Sequence, residues 1–387
     1  MVTSLTTEQS ATPGGTVWYS RPWSFSAVTR LKGLAVRGLG RMYRPEKGLF
    51  AFTLRRRNGE HRLEGVSLRY TAIALLGLAG EEASIQARIL DGAHAADLCS
   101  RILRAADRIE NLGDLALMLR AAAALEVDDV TPAWDRLRAL EPDKQPHPTV
   151  ELAWTLDALV AGVPGIASDE QLVHAVADRL MHSFSSRAGV FPHWPAGSRR
   201  SMLRGHVSCF ADQVYPIKSL ARYHGWSGRT EAHSIAARCA ERICALQGAD
   251  GQWWWHYDTR SGRVIEGYPV YSVHQDAMAP MALFALRDAC GVDYGSAVER
   301  GMRWLQQPAE IPDSLIDEGA GVIWRKVARH EPGKFSRGAQ ALASRVHPAL
   351  RVPGLATLLR PTSVDYECRP YHLGWLLYAW SDRVPSA

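Results

Sequence analysis

Val66-Ser-Leu-Arg-Tyr-Thr-Ala-Ile-Ala-Leu-Leu-Gly-Leu-Ala79, wound at 3.6 residues per turn, shows apolar or small side chains around most of its circumference. A helix of that kind has no face to give to water and must be enclosed by others. The stretch before it, roughly 23–43, is instead amphipathic and charged on one face. The same pair recurs along the chain. Amphipathic segments at roughly 23–43, 90–109, 129–141, 168–185, 229–247 and 294–307 alternate with mostly apolar ones at roughly 66–79, 112–126, 148–162, 207–224, 271–289 and 364–381.

Six outer and six inner helices follow. Strand signals are too sparse for a sheet and leave only short β-hairpins, at 49–56 and 253–264. An alternating helical array either stacks open or closes on itself, and six pairs suit closure. The expected fold is all-α, an (α/α)6 toroid whose outer-to-inner connections share one mouth. Four of these, about 44–65, 186–205, 248–269 and 308–360, are long, which marks that mouth as functional. No Pro- or Gly-rich linker divides the pattern, so residues 21–387 are expected to form one domain after a flexible segment 1–20.

Composition sets outer limits. At 47% hydrophobic and 22% charged, the chain is of ordinary globular type. No window of apolar residues is long enough to span a bilayer, and the first residues lack a signal-peptide pattern, so a cytoplasmic protein without a membrane span is expected. Six scattered cysteines read as reduced thiols. The net charge of +5 is small, and no nucleic-acid-reading motif accompanies the clusters Arg55-Arg56-Arg57, Arg199-Arg200 and Arg325-Lys326; nucleic acid is not an expected partner.

An internal repeat runs through the four long connections. A glycine precedes aromatics in Gly48-Leu-Phe-Ala-Phe52, Gly189-Val-Phe-Pro-His-Trp194, Gly251-Gln-Trp-Trp-Trp-His-Tyr257 and Gly321-Val-Ile-Trp324. A serine then stands four positions before a polar residue: Ser67 and Thr71, Ser208 and Asp212, Ser272 and Asp276, Ser363 and Glu367. Proline follows three of these (Pro216, Pro280, Pro370), as in a first helical turn. Asp212, Asp276 and Glu367 are thereby expected at inner-helix N-termini, facing the mouth. The plain alternative is helix capping, to which glutamate is the least suited.

Carboxylates held together have pKa values pushed apart, so that one serves as acid and another as base or nucleophile. Glycosidic bonds are broken by such pairs. Asp276 is the first candidate acid or base, with Asp212 and Glu367 beside it and His274, two residues from Asp276, as a further proton carrier. Trp253, Trp254, Trp255, Tyr257, Trp194 and Tyr271 would present aromatic faces to substrate, at least one of the three consecutive tryptophans packing the loop instead. His193 and His256 would touch substrate, and Arg69, Arg204 and Arg263 would hold an anionic group. Cys209, His274, Asp276, Cys368 and His372 fall near inner-helix starts but lack zinc-motif spacing, so neither a metal nor a cofactor is expected. No phosphate-binding loop, dinucleotide fingerprint or serine elbow is present in the sequence.

Gln247-Gly-Ala-Asp-Gly251-Gln-Trp253 resembles the Q-x-x-x-G-x-W repeat of squalene and terpenoid cyclases, and Val298-Glu-Arg-Gly-Met-Arg-Trp-Leu305 is similar to their outer helices. The resemblance implies the α/α toroid that those cyclases share with protein prenyltransferases and, more distantly, six-hairpin glycosidases and sugar epimerases. The D-x-D-D signature of the protonation-initiated cyclases and the zinc set of the prenyltransferases are missing from the sequence. Carboxylates beside tryptophan-rich loops look more like the carbohydrate-active branch. The expected activity is on a glycan or sugar-derived substrate, as a hydrolase, with lyase or epimerase chemistry open. The alternatives are a cyclase- or prenyltransferase-like enzyme with a dry aromatic cavity, and a non-catalytic glycan-binding scaffold.

Overall fold

The computed structural model describes residues 22–195, 205–331, 335–381 and 383. The six inner helices are α2 (Leu68–Leu78), α4 (Leu112–Ala124), α6 (Thr149–Ala161), α8 (Ala211–Ser227), α10 (Ala279–Cys290) and α12 (Pro370–Trp380). Each packs on the next, and α12 packs on α2 and on the turn leading into α10, so the ring closes. Closure depends on glycine. A Cβ at Gly77 of α2 would lie 2.4 Å from the Gly374 carbonyl oxygen, and one at Gly374 would lie 2.6 Å from that of Ile73. No larger residue allows that backbone-to-backbone approach.

The outer helices α1 (Pro22–Met42), α3 (Ala95–Leu103), α5 (Thr131–Ala139), α7 (Glu170–Ser183), α9 (Thr230–Ala245) and α11 (Gly295–Gln306) lie against the inner ring. Among them, α3 packs on α2 and α4, α7 on α6 and α8, and α9 on α8 and α10. The fold is therefore the all-α toroid of six hairpins. Apolar side chains from Val28 to Trp380 form one continuous buried cluster.

The starts of three inner helices differ from the sequence reading. The segment 363–368 is extended: Ser363–Asp365 pairs with Lys326–Ala328, and Glu367–Cys368 pairs with Leu54–Arg55. Likewise Val207–Cys209 is a strand paired with His256–Asp258, and α10 is preceded by a π-helical turn, His274–Met278. Pro280 and Pro370 do occupy first turns, but Pro216 lies inside α8, where the Asp212 carbonyl loses its helical donor. Short helices at Ala83–Ile89 and Phe335–Val346 were not legible as ring elements. Strands from the connections pair with one another at one mouth, including Thr53–Arg57 with Glu60–Glu64 and His256–Asp258 with Val264–Glu266.

The glycine-aromatic repeat has a packing cause. All four glycines adopt left-handed φ, from +60° to +103°, and each approaches an arginine of an outer helix: Arg101, Arg242, Arg300 and Arg37. The turn drives the following aromatic inward. Phe50, Phe191 and Trp253 are fully buried, as is Trp324 in the fourth copy. An inner-helix side chain then catches the plug's backbone N–H: Phe50 N donates to Thr71 Oγ1, Phe191 N to Gln213 Oε1 and Trp253 N to Gln275 Oε1. The repeat is a device for seating a loop between hairpins.

Candidate functional site

Inner-helix N-termini place a connected set of polar side chains at the mouth. In α2, Arg69 donates through Nε to Asp114 Oδ1 of α4 at 2.5 Å and through Nη2 to Asn111 Oδ1 at 2.8 Å. Asn111, the N-cap of α4, donates onward to Glu151 Oε1 of α6 at 2.9 Å. The Gly189–Pro195 loop is pinned to the same end of α6, where Thr149 N donates to the His193 carbonyl at 3.0 Å. From that loop His193 Nδ1 donates to Asp212 Oδ1 of α8 at 3.0 Å, and Cys209 N donates to Oδ2 at 2.7 Å. Asp212 is wholly buried, whereas the His193 side chain is 51% exposed. The histidine is thus the outward end of a buried carboxylate.

Aromatic rings lie beneath and beside this set. The Arg69 guanidinium sits 5.6 Å from the Trp154 ring, which meets Tyr215 edge-on at 5.0 Å; Tyr215 lies 5.9 Å from Trp375. Tyr70 and Tyr371 are 4.7 Å apart, and Arg369 donates to the Tyr70 hydroxyl. Burial holds the Tyr215 and Tyr371 phenols above their ordinary range.

The remaining expected residues divide. Asp276 is fully buried in the π-helical turn that leads into α10 and accepts from His372 Nε2 in the first turn of α12 at 2.8 Å, joining that turn to α12. Glu367 does not cap a helix; it lies in a strand and is gripped by Arg55, Arg325 and Arg369. Burial pushes its carboxyl up, but the three guanidinium groups outweigh that and hold it below the usual range. His274 is fully buried, and burial carries its pKa down to about 3. Asp212, Asp276 and Glu367 thus each have partners of their own.

Trp253 and Tyr257 are core residues with no exposed surface, and His256 is nearly as buried. Trp254 packs its loop through a bond from Nε1 to the Leu246 carbonyl. Trp255, half-buried, stacks on His256 and meets Tyr271 edge-on at 5.0 Å. Trp194 meets His193 at 6.1 Å, and Tyr271 lies beneath Arg325. Arg69 belongs to the network above, Arg263 is exposed on a strand-end turn, and Arg204 lies outside the described residues. Asp114, Glu151, Asn111, Tyr70, Tyr215 and Tyr371, which lie in or against this network, were not among the residues expected from sequence. Asn111 and Asp114 did carry a signal, an N-cap side chain three residues before an acidic one.

The Gln247–Trp253 motif clamps neighbouring outer helices. Gln247 donates to the Gly251 and Ala297 carbonyls and accepts from Arg300, tying α9, its loop and α11 together. A cavity of about 270 Å³ at the opposite end of the ring is lined by Leu159, Gly162, Ile166 and Val173. Its one carboxylate, Asp169, caps α7. Two trios bring potential metal-ligand atoms within 4.8 Å of one another among the described residues: His193 with Cys209 and Asp212, and His224 with His233 and Cys290. No described helix is long and apolar enough to cross a membrane.

The same α/α toroid fold occurs in solved structures of low sequence identity. An unsaturated glucuronyl hydrolase specific for heparin superimposes over 92% of this chain and 96% of its own, with a TM-score of 0.61 at 14% identity. The cellobiose 2-epimerase from Bacillus thermoamylovorans superimposes over 93% of this chain and 98% of its own, with a TM-score of 0.58 at 12% identity. The sequence matches no protein-family model and no curated relative.

Proposed function

We propose that the chain is a carbohydrate-active enzyme, with hydrolysis its leading chemistry and its site at the mouth over α4, α6 and α8. The observation that carries this is the buried Asp212 holding a half-exposed His193 in a loop pinned to the start of α6, together with Asp114 and Glu151 at the third position of the adjacent inner helices α4 and α6. Breaking a glycosidic bond needs a proton delivered to the leaving oxygen and a carboxylate on the other side of the sugar to activate water or attack directly. His193 donates its Nδ1 proton to Asp212, so Nε2 carries the exchangeable proton; the buried carboxylate steadies the imidazolium and fixes the ring. Asp114, oriented by Arg69, and Glu151, oriented by Asn111, are the carboxylates available to water. Trp194, Tyr70 and Tyr371 offer faces for sugar rings.

The same histidine-aspartate pair would suit proton abstraction next to a carbonyl, which leaves lyase and epimerase chemistry within reach of this site. The two superimposed proteins, a glucuronyl hydrolase and a disaccharide epimerase, support the glycan reading over a cyclase: charged groups, not a dry aromatic wall, occupy this mouth. The test is a panel of neutral and uronate-containing oligosaccharides with product analysis, run on wild type, His193→Ala, Asp212→Asn and Asp276→Asn. Loss of the acid-base pair should lower turnover by ~10²–10⁴-fold. Full turnover in both His193→Ala and Asp212→Asn would remove the pair from the mechanism, and a matching loss in Asp276→Asn alone would return that role to Asp276.

A further inference from the structure

Three helix ends meet at the face of the ring opposite the mouth. His224 stands in the last turn of α8, His233 in the first turns of α9, and Cys290 is the last residue of α10. One ring nitrogen of each histidine and Cys290 Sγ lie within 4.8 Å of one another, with the two imidazole centroids 5.3 Å apart. All three residues are half-buried, open enough for an ion to enter and sheltered enough to hold it.

His224 is already oriented. Its Nδ1 lies 3.1 Å from the Arg229 carbonyl oxygen, which only accepts; Nδ1 therefore carries the proton and Nε2 the lone pair. An outer carbonyl that fixes tautomer and ring in this way is the usual support of a metal-bound imidazole. The carbonyl-rich ends of α8 and α10 add partial negative charge. At the mouth, by contrast, His193 Nδ1 and Cys209 N are both already bonded to Asp212, so that trio is satisfied internally.

We propose that His224, His233 and Cys290 bind one Zn²⁺, with water in the fourth position. Two imidazoles and a thiol select a borderline-soft ion and leave Mg²⁺ and Ca²⁺, which need oxygen ligands, without a site. On binding, the Cys290 thiol gives its proton to solvent and the thiolate sulfur bonds the metal. The ion ties α8, α9 and α10 together, and the site is independent of the glycan reading.

The whole chain, stripped with chelator under reducing conditions, is titrated with Zn²⁺ by calorimetry and with Co²⁺ by absorption. One ion per chain is expected, with a thiolate-to-cobalt charge-transfer band and tetrahedral d–d bands. Cys290→Ser should abolish the charge-transfer band. His233→Ala should weaken Zn²⁺ by more than the roughly 10–100-fold that losing an outer partner costs, and it carries the test should the cysteine variant fail to fold. Cys244→Ser and His193→Ala should change neither signal. Substoichiometric binding, a band that survives Cys290→Ser, or a band lost in His193→Ala overturns the proposal.

Discussion

Two turns below the mouth, Asp157 of α6 is the one carboxylate among three cations: Lys218 Nζ at 2.6 Å, Arg120 Nε at 3.6 Å, and Arg222, which also bonds it. Burial pushes its carboxyl up, but Arg222, Lys218 and Arg120 outweigh that and hold it far below the ordinary range. Asp157→Asn keeps the shape and removes the charge. It leaves three largely buried cations facing one another, and breaking a buried ion pair from one side costs about 3–5 kcal/mol. Unfolding entropy of ~2.1 cal/mol/K per residue over 387 residues gives ~0.8 kcal/mol/K, so Tm should fall by ~4–6 °C. Calorimetry at pH 7 measures it, and Asp157→Leu with Lys218→Met should recover part of the loss. Because the folded pKa is depressed, the carboxylate's contribution is complete above its unfolded pKa of ~3.9 and is lost only as pH falls through the folded value. The gap between wild type and Asp157→Asn should therefore stay constant from pH 8 to about pH 5. A Tm within ~1 °C of wild type, or a gap that closes between pH 7 and 5, would refute the assignment.

Other consequences are checked by the same means. Trp253→Ala should cost about 3–5 kcal/mol in urea unfolding, as an emptied aromatic plug, with half-buried Trp254→Ala costing less. Gly251→Ala should destabilise by more than ~1 kcal/mol, since φ is +103° and the new Cβ would lie 2.1 Å from the Arg300 carbonyl oxygen. His274 has a folded pKa of about 3 against ~6.5 unfolded, so the unfolded chain takes up the proton first and stability should fall with pH between those values, at up to ~1.4 kcal/mol per unit. His274→Phe should flatten that slope. In the metal-free chain, Ellman's reagent at pH 8 should label half-buried Cys290, which burial raises, ahead of the fully buried Cys99 and Cys368, whose thiols burial pushes up to about 12.

The toroid was legible because each inner helix must be apolar all round and each outer one on a single face, a contrast that survives at single-sequence level. The boundaries that failed did so for one reason. At 207–210, 271–278 and 363–369 the chain enters the inner ring as strand or π turn, and a short apolar stretch such as Val207-Ser-Cys-Phe210 carries no period that separates strand from helix. The mouth sheets are held by pairing with distant connections, as Glu367–Cys368 is with Leu54–Arg55, and nothing local encodes that partner.

The candidate site was harder to read, and the repeat itself is the reason. A feature recurring around a ring answers a need that recurs there: the left-handed glycine, the inward aromatic and the inner-helix acceptor all seat a loop between hairpins. The repeat points to Asp276 and Glu367, and their carboxylates are bonded to His372 and to three arginines. Chemistry at a substrate needs unlike groups at unlike distances, so the proposed site draws partly on segments where the repeat lapses. Asn111, Asp114 and Glu151 follow the two short connections, which carry no glycine-aromatic copy, whereas His193 lies within the second copy, between its buried Phe191 and Trp194. Asp212 is the point of overlap: it occupies the repeat's polar position, yet one oxygen accepts from Cys209 N of its own segment and the other from the histidine of a neighbouring loop, the contact on which the proposed acid-base pair rests.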